Sequence, residues 1–260
     1  CYVNGIKYAR NIFDTTNDYI KTVNGKRKSE IYSEYYIPYP LKLYPYSSHR
    51  IILDLLNKKD NLKILDVGCG DGLFAEHLSE RNHLVGVDFI PESENTSKNF
   101  KSYYQYDLNN GLPDKLHQEG KFDYILLMDV LEHLLNFEKV IEQSKELLNP
   151  QGKLIISLPN FANIYVRLNL LIGRLPLADK GILDKTHLHL FTHRIIRNML
   201  TKHKLQAVQQ RVTPIPVIEI LPGALKRNIG LFLNFILYIK AILFKRLFGY
   251  QFIFISKPVD

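Results

Sequence analysis

A glycine-rich loop is the segment of this chain whose composition points most directly to chemistry. Residues 65–72 read LDVGCGDG, so glycines stand at three alternate positions directly after an apolar run. Glycine lets the backbone turn tightly and come close to a ligand, as a nucleotide site between a strand and a helix requires. By itself the loop fits two interpretations, a nucleotide site or a plain tight turn.

Carboxylates that follow the loop favour a nucleoside site. Asp88 ends a second apolar run, 22 residues after Asp66, and Asp107 with Leu108 follows a third. An acid at roughly 20 residues from such a loop accepts hydrogen bonds from ribose hydroxyls. The Asp107 carboxylate would accept a hydrogen bond from an adenine amino group, and Leu108 would line the base pocket. Acids at the ends of three consecutive parallel strands would meet at one edge of a sheet, where such folds bind ligands.

The spacing of the glycines argues against a nicotinamide dehydrogenase. That class of enzyme carries the pattern G-x-G-x-x-G. Here the glycines are Gly68, Gly70 and Gly72, and Leu73 stands where the third glycine would be expected.

Two histidines are candidates for proton transfer. His133 lies in the run DVLEH, residues 129–133, and His187 lies in DKTHLHLFT, residues 184–192. An imidazole with an ordinary pKa near 6.5 can take a proton at neutral pH. The alternative for His133 is a histidine that packs at a helix start, and for His187 a loop residue that anchors the next helix.

The same stretch offers a set of metal ligands. Carboxylates and imidazoles together bind divalent metals, and the residues that would supply them are Asp129, Glu132, His133 and His187. We prefer the opposite interpretation, in which no metal binds and these groups form hydrogen bonds at helix termini.

Apolar runs and helical periodicity alternate through most of the chain. Strands are predicted at 62–67, 83–88, 101–106, 122–128, 153–158, 205–212 and 250–256, and helices at 47–58, 72–81, 92–99, 131–148 and 193–203. Strands that alternate with helices pair in parallel through right-handed crossovers. The fold class is therefore α/β, a Rossmann-like sheet with helices on both faces.

Composition limits the classes of partner. The 260 residues are 46% hydrophobic and carry a formal net charge of +8, which favours anionic partners. Nucleic acid is nevertheless disfavoured, because no zinc-finger spacing or RNA-recognition signature is visible. Two cysteines and no visible secretory signal predict a cytoplasmic location. Because the chain begins with Cys1, we expect it to be processed or cut from a longer protein.

Residues 224–248 form a strongly apolar stretch. The wider segment 221–250 has five Lys or Arg residues and no acid, and Asn234 and Lys240 interrupt the apolar run, which argues against a spanning helix. We predict a helix lying at the inner, anionic face of a membrane. A helix packed on the domain and a lid over the substrate are the alternatives.

The motifs together resemble those of class I S-adenosylmethionine-dependent methyltransferases. The shared patterns are D-x-G-C-G-x-G at 66–72, G-V-D at 86–88, the pair Asp107-Leu108, and FDYILLMDVLEHL at 122–134. The resemblance spans about residues 45–210. It is strongest to the ubiquinone-biosynthesis O-methyltransferases and the methionine-biosynthesis W family.

This resemblance implies a cofactor and a role for each motif residue. The cofactor would be S-adenosyl-L-methionine. The fold would be a seven-stranded, mostly parallel sheet whose last strand is antiparallel. Its methionine end would lie against Asp66, Gly68, Gly70 and Gly72, its ribose against Asp88 and its adenine against Asp107 and Leu108. Met128 or Asp129 would contact it after the fourth strand, and Cys69 would be a small loop residue instead of a nucleophile.

A second resemblance concerns the acceptor. The pattern D-x-T-H-x-x-x-F-T at 184–192 is similar to a stretch of bacterial methyltransferases associated with surface glycans, some of which are joined to glycosyltransferases. It implies O-methylation of a sugar hydroxyl. The glycan would be lipid-linked if the apolar stretch at 224–248 contacts a membrane. A quinone or phenol and a small-RNA terminus are alternative acceptors. A non-catalytic protein that keeps the fold and assists a partner enzyme is the rival from another class.

These assignments divide the chain into four parts. Residues 1–45 are expected to form an N-terminal extension or cap, and 46–213 the methyltransferase core. Residues 214–249 would be the apolar, basic helical appendage, and 250–260 the last strand of the core with its tail.

Overall fold

The computed structural model describes residues 41–222 and 226–259, without the side chains of residues 220, 226 and 227. This part belongs to one unit of the chain, Tyr39–Asp260. The predicted N-terminal extension, residues 1–45, therefore lies almost entirely outside the described residues.

Seven strands form one twisted sheet, which confirms the predicted fold class. They run in the spatial order β3-β2-β1-β4-β5-β7-β6. β1 to β5 pair in parallel, whereas β7 is antiparallel to both β5 and β6. The strands are β1 Lys63–Val67, β2 His83–Asp88, β3 Ser102–Gln105, β4 Phe122–Met128, β5 Leu148–Pro159, β6 Leu205–Thr213 and β7 Gln251–Pro258.

Helices connect the strands at most of the predicted places. In chain order they are α1 Ser48–Leu56, α2 Glu94–Asn99, α3 Phe137–Glu146, α4 Ile164–Leu171, α5 His193–Lys202, α6 Val217–Ile220, α7 Leu231–Leu243 and α8 Lys245–Phe248. Side-chain caps begin several of them: the Ser47 hydroxyl accepts from the Arg50 amide and the Thr192 hydroxyl from the Ile195 amide. No helix in the described ranges combines the length and the hydropathy that a membrane crossing requires.

Two predicted helices are wrong in part. Residues 72–81 hold only a 3₁₀ helix at Ala75–His77, because the amides there bond to carbonyls three and four residues back without a regular pattern. Residues 131–148 divide into a 3₁₀ helix at Leu131–His133 and α3. Leu134 is extended and ends the first piece, and the Asn136 side chain caps the second.

The sheet is buried on both faces. Leu65 and Val67 pack into one core cluster and their neighbour Ile64 packs into the other, as the alternation of side chains along a strand requires. The register sets Asp66 beside Gly86 of β2 and Leu126 of β4. The carboxyl ends of β1, β2 and β4 therefore meet at one edge, where the motif residues lie.

Candidate active site

The glycine loop after β1 has a backbone that only glycine adopts easily. Gly68, Gly70 and Gly72 have φ angles of +75°, +56° and +82°. A Cβ at position 68 would lie 2.7 Å from Cγ2 of Val130, and one at position 72 would lie 3.0 Å from the Phe100 ring. Glycine at these positions therefore lets the loop pack closely against Val130 and Phe100.

Two buried carboxylates stand beside the loop. The Asp88 side chain accepts hydrogen bonds from the amides of Gly70 at 2.8 Å and Ile90 at 3.2 Å. Oδ1 of Asp66 is buried and has no hydrogen-bond partner among the described residues. Burial, and next the charge of Asp88, raise the pKa of Asp66 to about 7. Burial likewise raises the pKa of Asp88.

An acceptor atom left unpaired beside the glycine loop fits a ligand that brings a donor or a positive charge. The α-ammonium and sulfonium groups of S-adenosylmethionine are such groups. The residues at this edge therefore fit the predicted cofactor.

Asp107 and Leu108 follow β3, as predicted. Leu108 is buried, and Oδ1 of Asp107 accepts from the backbone amide and the side-chain amide of Asn109. Cys69 is half-buried, and burial raises the pKa of its thiol well above the ordinary range. This pKa agrees with Cys69 being a loop residue, because the thiol stays protonated at neutral pH.

Asp129, directly after Met128 at the end of β4, has a left-handed backbone with a φ of +53°. Non-glycine residues hold this conformation at a cost and often do so at functional sites. The Asp129 carboxylate accepts hydrogen bonds from the Gln251 amide and, at 3.5 Å, from the Ser157 hydroxyl. Burial raises its pKa to about 6. Gln251 and Ser157 thus fix the Asp129 side chain from β7 and β5.

Three side chains meet beyond β4. One donor atom each from Glu132, His133 and His187 lie within 4.8 Å of one another. Glu132 is 1% exposed, and its Oε2 has no hydrogen-bond partner among the described residues. Burial raises the pKa of Glu132 well above its usual range and lowers that of His187 to about 4. Burial therefore favours the neutral form of both groups, which lie 4.0 Å apart.

A hydrogen-bond chain from Asp184 through Thr186 reaches His133 and favours one tautomer of its ring. The Thr186 hydroxyl donates to Asp184 at 2.7 Å and lies 3.0 Å from Nδ1 of His133. A hydroxyl has one proton, so Thr186 accepts from a protonated Nδ1. Nε2 of His133 then carries a lone pair, and burial keeps the ring neutral by lowering its pKa. This imidazole can accept a proton or bind a metal through Nε2.

The donors of this cluster fit a divalent metal, the alternative that the sequence left open. One carboxylate and two imidazoles are a common ligand combination for transition metals. Asp129, the fourth predicted ligand, lies outside the cluster and is bonded to Gln251 and Ser157.

Sequence reasoning missed the supporting residues of the site. Gln251 reaches Asp129 across 122 residues of sequence, and no local pattern marks it. Thr186 and Asp184 were part of the D-x-T-H pattern, but only their contacts assign them to His133.

Comparisons with known proteins assign the chain to a family. The model of a methyltransferase domain family matches residues 41–210. The ubiquinone biosynthesis O-methyltransferase of Bartonella tribocorum is 35% identical over 105 residues, which cover 39% of this chain and 42% of that protein. The same-named protein of Xylella fastidiosa strain M23 is 33% identical over 116 residues, covering 42% and 47%.

A solved structure extends the similarity in fold to nearly the whole chain. Magnesium protoporphyrin IX methyltransferase from Synechocystis PCC 6803, with bound SAH, aligns with a TM-score of 0.54 and 16% identity, covering 98% of this chain and 95% of that one. The present chain spans less than half the length of the curated relatives it matches. The family match covers more than half of the chain, and with the glycine loop and sheet order it makes this chain a member of the methyltransferase domain family, of the class I S-adenosylmethionine-dependent type.

Proposed function

We propose that this chain transfers a methyl group from S-adenosylmethionine to an oxygen atom of a small-molecule acceptor. The observation that carries the proposal is one sheet edge that holds both a fitting cofactor site and a neutral imidazole with a lone pair. The first is marked by Oδ1 of Asp66, which has no partner among the described residues, and the second by Nε2 of His133.

The cofactor would bind along the carboxyl ends of β1 to β4. Asp66 and the glycine loop would face its methionine end, Asp88 its ribose, and Asp107 with Leu108 its adenine. Asp88 already accepts two backbone amides, but a carboxylate has about four lone-pair sites and can accept a ribose hydroxyl as well. Met128 or Asp129 would contact the cofactor after β4.

When bound, the cofactor would supply a methyl group on a positively charged sulfur. The acceptor oxygen would take this methyl group in line, and the sulfur would leave as a neutral thioether. The protein must orient the acceptor hydroxyl and remove its proton. His133 is our candidate base, with Thr186 and Asp184 holding its ring. His187, next to it, would position the acceptor.

A metal would change the role of these histidines. Glu132, His133 and His187 would hold the ion, which as a Lewis acid makes an acceptor hydroxyl easier to deprotonate. Glu132 favours this version, because a buried carboxyl oxygen without a partner among the described residues needs one.

The acceptor of the methyl group is a hydroxyl. The names of the curated relatives favour a phenolic or quinol hydroxyl. The sugar hydroxyl of a surface glycan, with a link to a glycosyltransferase, remains a prediction from the D-x-T-H pattern. A small-RNA terminus and a non-catalytic assisting protein remain rivals.

The first experiment is calorimetric titration of the full chain with S-adenosylmethionine and, separately, NADH. We expect saturable binding of the first ligand only, and its loss in Asp88→Ala. Binding of neither ligand, or preference for NADH, would contradict the proposal.

The second experiment is methyl transfer from labelled cofactor to a panel of catechols and sugars, with and without a chelator. Cofactor binding without turnover on any acceptor would favour the assisting protein. Turnover that is unchanged by chelation would exclude the metal version. Loss on chelation, with recovery on adding manganese or zinc, would support it.

A further inference from the structure

Helix α7 packs on the protein in the reverse of the usual orientation. Asn234 and Ala241 of this helix and Gly230 just before it are buried, and Ile236, Leu237 and Tyr238 are half-buried. The Asn234 amide donates to the carbonyl of Pro45 at 2.8 Å, and the Tyr238 ring stacks on Tyr46 at 4.0 Å. The small and polar stripe of the helix therefore faces the domain.

The apolar side of the same helix faces outward. Phe232, Leu243 and Phe244 are 64%, 67% and 60% exposed. An ordinary surface helix buries such residues and exposes polar ones. Nine large apolar side chains are exposed between residues 229 and 244: Ile229, Leu231, Phe232, Leu233, Phe235, Ile239, Ile242, Leu243 and Phe244. We call this set the α7 face; a continuous apolar patch of this kind marks an interaction surface.

Charge indicates what covers the α7 face. Lys240, Lys245 and Arg246 are exposed on α7 and α8, and residues 221–250 contain no acid. Long basic side chains beside apolar ones can reach lipid headgroups while the apolar groups enter the acyl boundary. We propose that the α7 face docks on an anionic lipid bilayer, with the helix axis lying in the plane of the interface.

The docking face is joined directly to the candidate active site. Gly249 follows α8, and its carbonyl accepts from the side-chain amides of Asn160 and Asn163 at 2.8 and 2.7 Å. Two residues further on, Gln251 donates to Asp129. Docking through α7 and α8 would therefore place the carboxyl edge of the sheet near the membrane, so that an acceptor with a lipid tail could reach it. Only this last step depends on the proposed function.

Flotation of the full chain with vesicles tests the docking. We expect binding to vesicles of phosphatidylglycerol and phosphatidylcholine, and much weaker binding to phosphatidylcholine alone. The triple variant Phe232→Ser, Leu243→Ser and Phe244→Ser should bind at least about tenfold more weakly. Replacing Lys240, Lys245 and Arg246 by glutamine should weaken binding on the order of 100-fold.

A matched control separates docking from folding. Ile195 on α5 is 46% exposed, and Ile195→Ser should leave vesicle binding unchanged. All variants should bind S-adenosylmethionine as the parent does, so failure of docking is distinguishable from failure of the cofactor site.

Results of two kinds would overturn the proposal. One is the absence of binding to anionic vesicles, or equal binding by the triple serine variant. The other is a stable dimer in light scattering that the serine variant dissociates, since the α7 face would then be an interface between copies of the chain.

Discussion

At the scale of single residues, Asp88 connects the glycine loop to the second strand. Its carboxylate accepts the amides of Gly70 and Ile90, and it is 6% exposed. The same group would accept the ribose hydroxyls, so it serves both the shape of the loop and the ligand. A hydrogen bond to a charged group contributes about 1.5–3 kcal/mol.

We therefore expect Asp88→Asn to weaken S-adenosylmethionine binding about 10- to 100-fold, because the amide keeps the size of the side chain but loses its charge and half its acceptors. Calorimetric titration measures the change in Kd. Asp114→Asn, an exposed acid at the start of a 3₁₀ helix, is the matched control and should bind normally. An unchanged Kd in Asp88→Asn would show that Asp88 does not bind the ribose.

Thr186 is a positioning residue for His133. Thr186→Val keeps the shape of the side chain but cannot accept from Nδ1, whereas Thr186→Ser keeps the hydroxyl. Removal of such an orienting partner typically costs 10- to 100-fold in activity or metal affinity. We expect that loss in kcat for the valine variant, with the KM for the cofactor unchanged and near-normal activity in the serine variant.

The tautomer of His133 can be measured directly, and a purely structural role of Thr186 would not change it. Nitrogen NMR of the imidazole should show a protonated Nδ1 in the parent chain and in Thr186→Ser, and a mixture of tautomers in Thr186→Val. Equal spectra in all three proteins would show that the hydroxyl does not set the tautomer.

At the scale of elements, Gly68 in the loop after β1 has both a positive φ angle and a close contact with Val130. Gly173 has a positive φ angle without such a contact, so substitutions at the two positions separate the two effects. Gly68 and Gly173 have φ angles of +75° and +70°, but a Cβ at 68 would meet Val130 whereas one at 173 would meet nothing within 4 Å. Gly173→Ala should cost about 1 kcal/mol of stability from strain alone. Gly68→Ala should cost more and should also reduce cofactor affinity, as thermal unfolding and titration would show. Equal costs at the two positions would mean that the Val130 contact is unimportant.

The sequence predicted elements well where their periodicity was local. β2 and β4 have the predicted bounds, because continuous apolar runs mark strands buried on both faces. The helix expected at 72–81 was wrong because apolar spacing alone does not reveal a backbone that departs from regular four-residue hydrogen bonding. The strand predicted at 153–158 begins earlier, at Leu148, and its pairing with β4 shifts register between residues 148 and 153.

The site was predicted in the same uneven way. Loop and strand-end residues could be assigned because parallel strands bring their carboxyl ends together. Gln251 could not, because it reaches Asp129 only when the antiparallel β7 pairs with β5, with Gln251 opposite Pro159. The apolar composition of 224–248 predicted a helix but could not show that Asn234, one of the residues that interrupt the apolar run, faces the domain.

At the scale of the whole molecule, the fold gathers acids at one edge of a chain whose net charge is +8. Asp66 and Asp88 lie on neighbouring strands with their carboxylates buried, and burial raises both pKa values. In the absence of a cation these groups hold protons more tightly in the folded than in the unfolded chain. These two buried carboxylates therefore oppose folding at neutral pH, and a positively charged ligand should relieve this.

This imbalance predicts how stability depends on pH. The pKa of Asp66 is about 7 in the folded chain against an ordinary value of 3.8, so its contribution is fully present below about pH 4 and is lost as pH rises through 7. At about 1.4 kcal/mol for each pKa unit, the loss approaches 4 kcal/mol as an upper limit. Asp66→Asn cannot ionise and should unfold at higher urea than the parent at about pH 8, with the difference shrinking towards about pH 5.

Saturating S-adenosylmethionine should reverse the order of the two proteins. The cationic ligand favours the ionised carboxylate, which lowers the pKa of Asp66 in the complex and stabilises the parent more than the asparagine variant. Urea unfolding of both proteins across this pH range, with and without ligand, measures all four cases. An advantage of Asp66→Asn that stayed constant with pH would show that Asp66 is already ionised in the folded chain. A ligand effect equal in both proteins would show that the cofactor's positive charge lies elsewhere in the site.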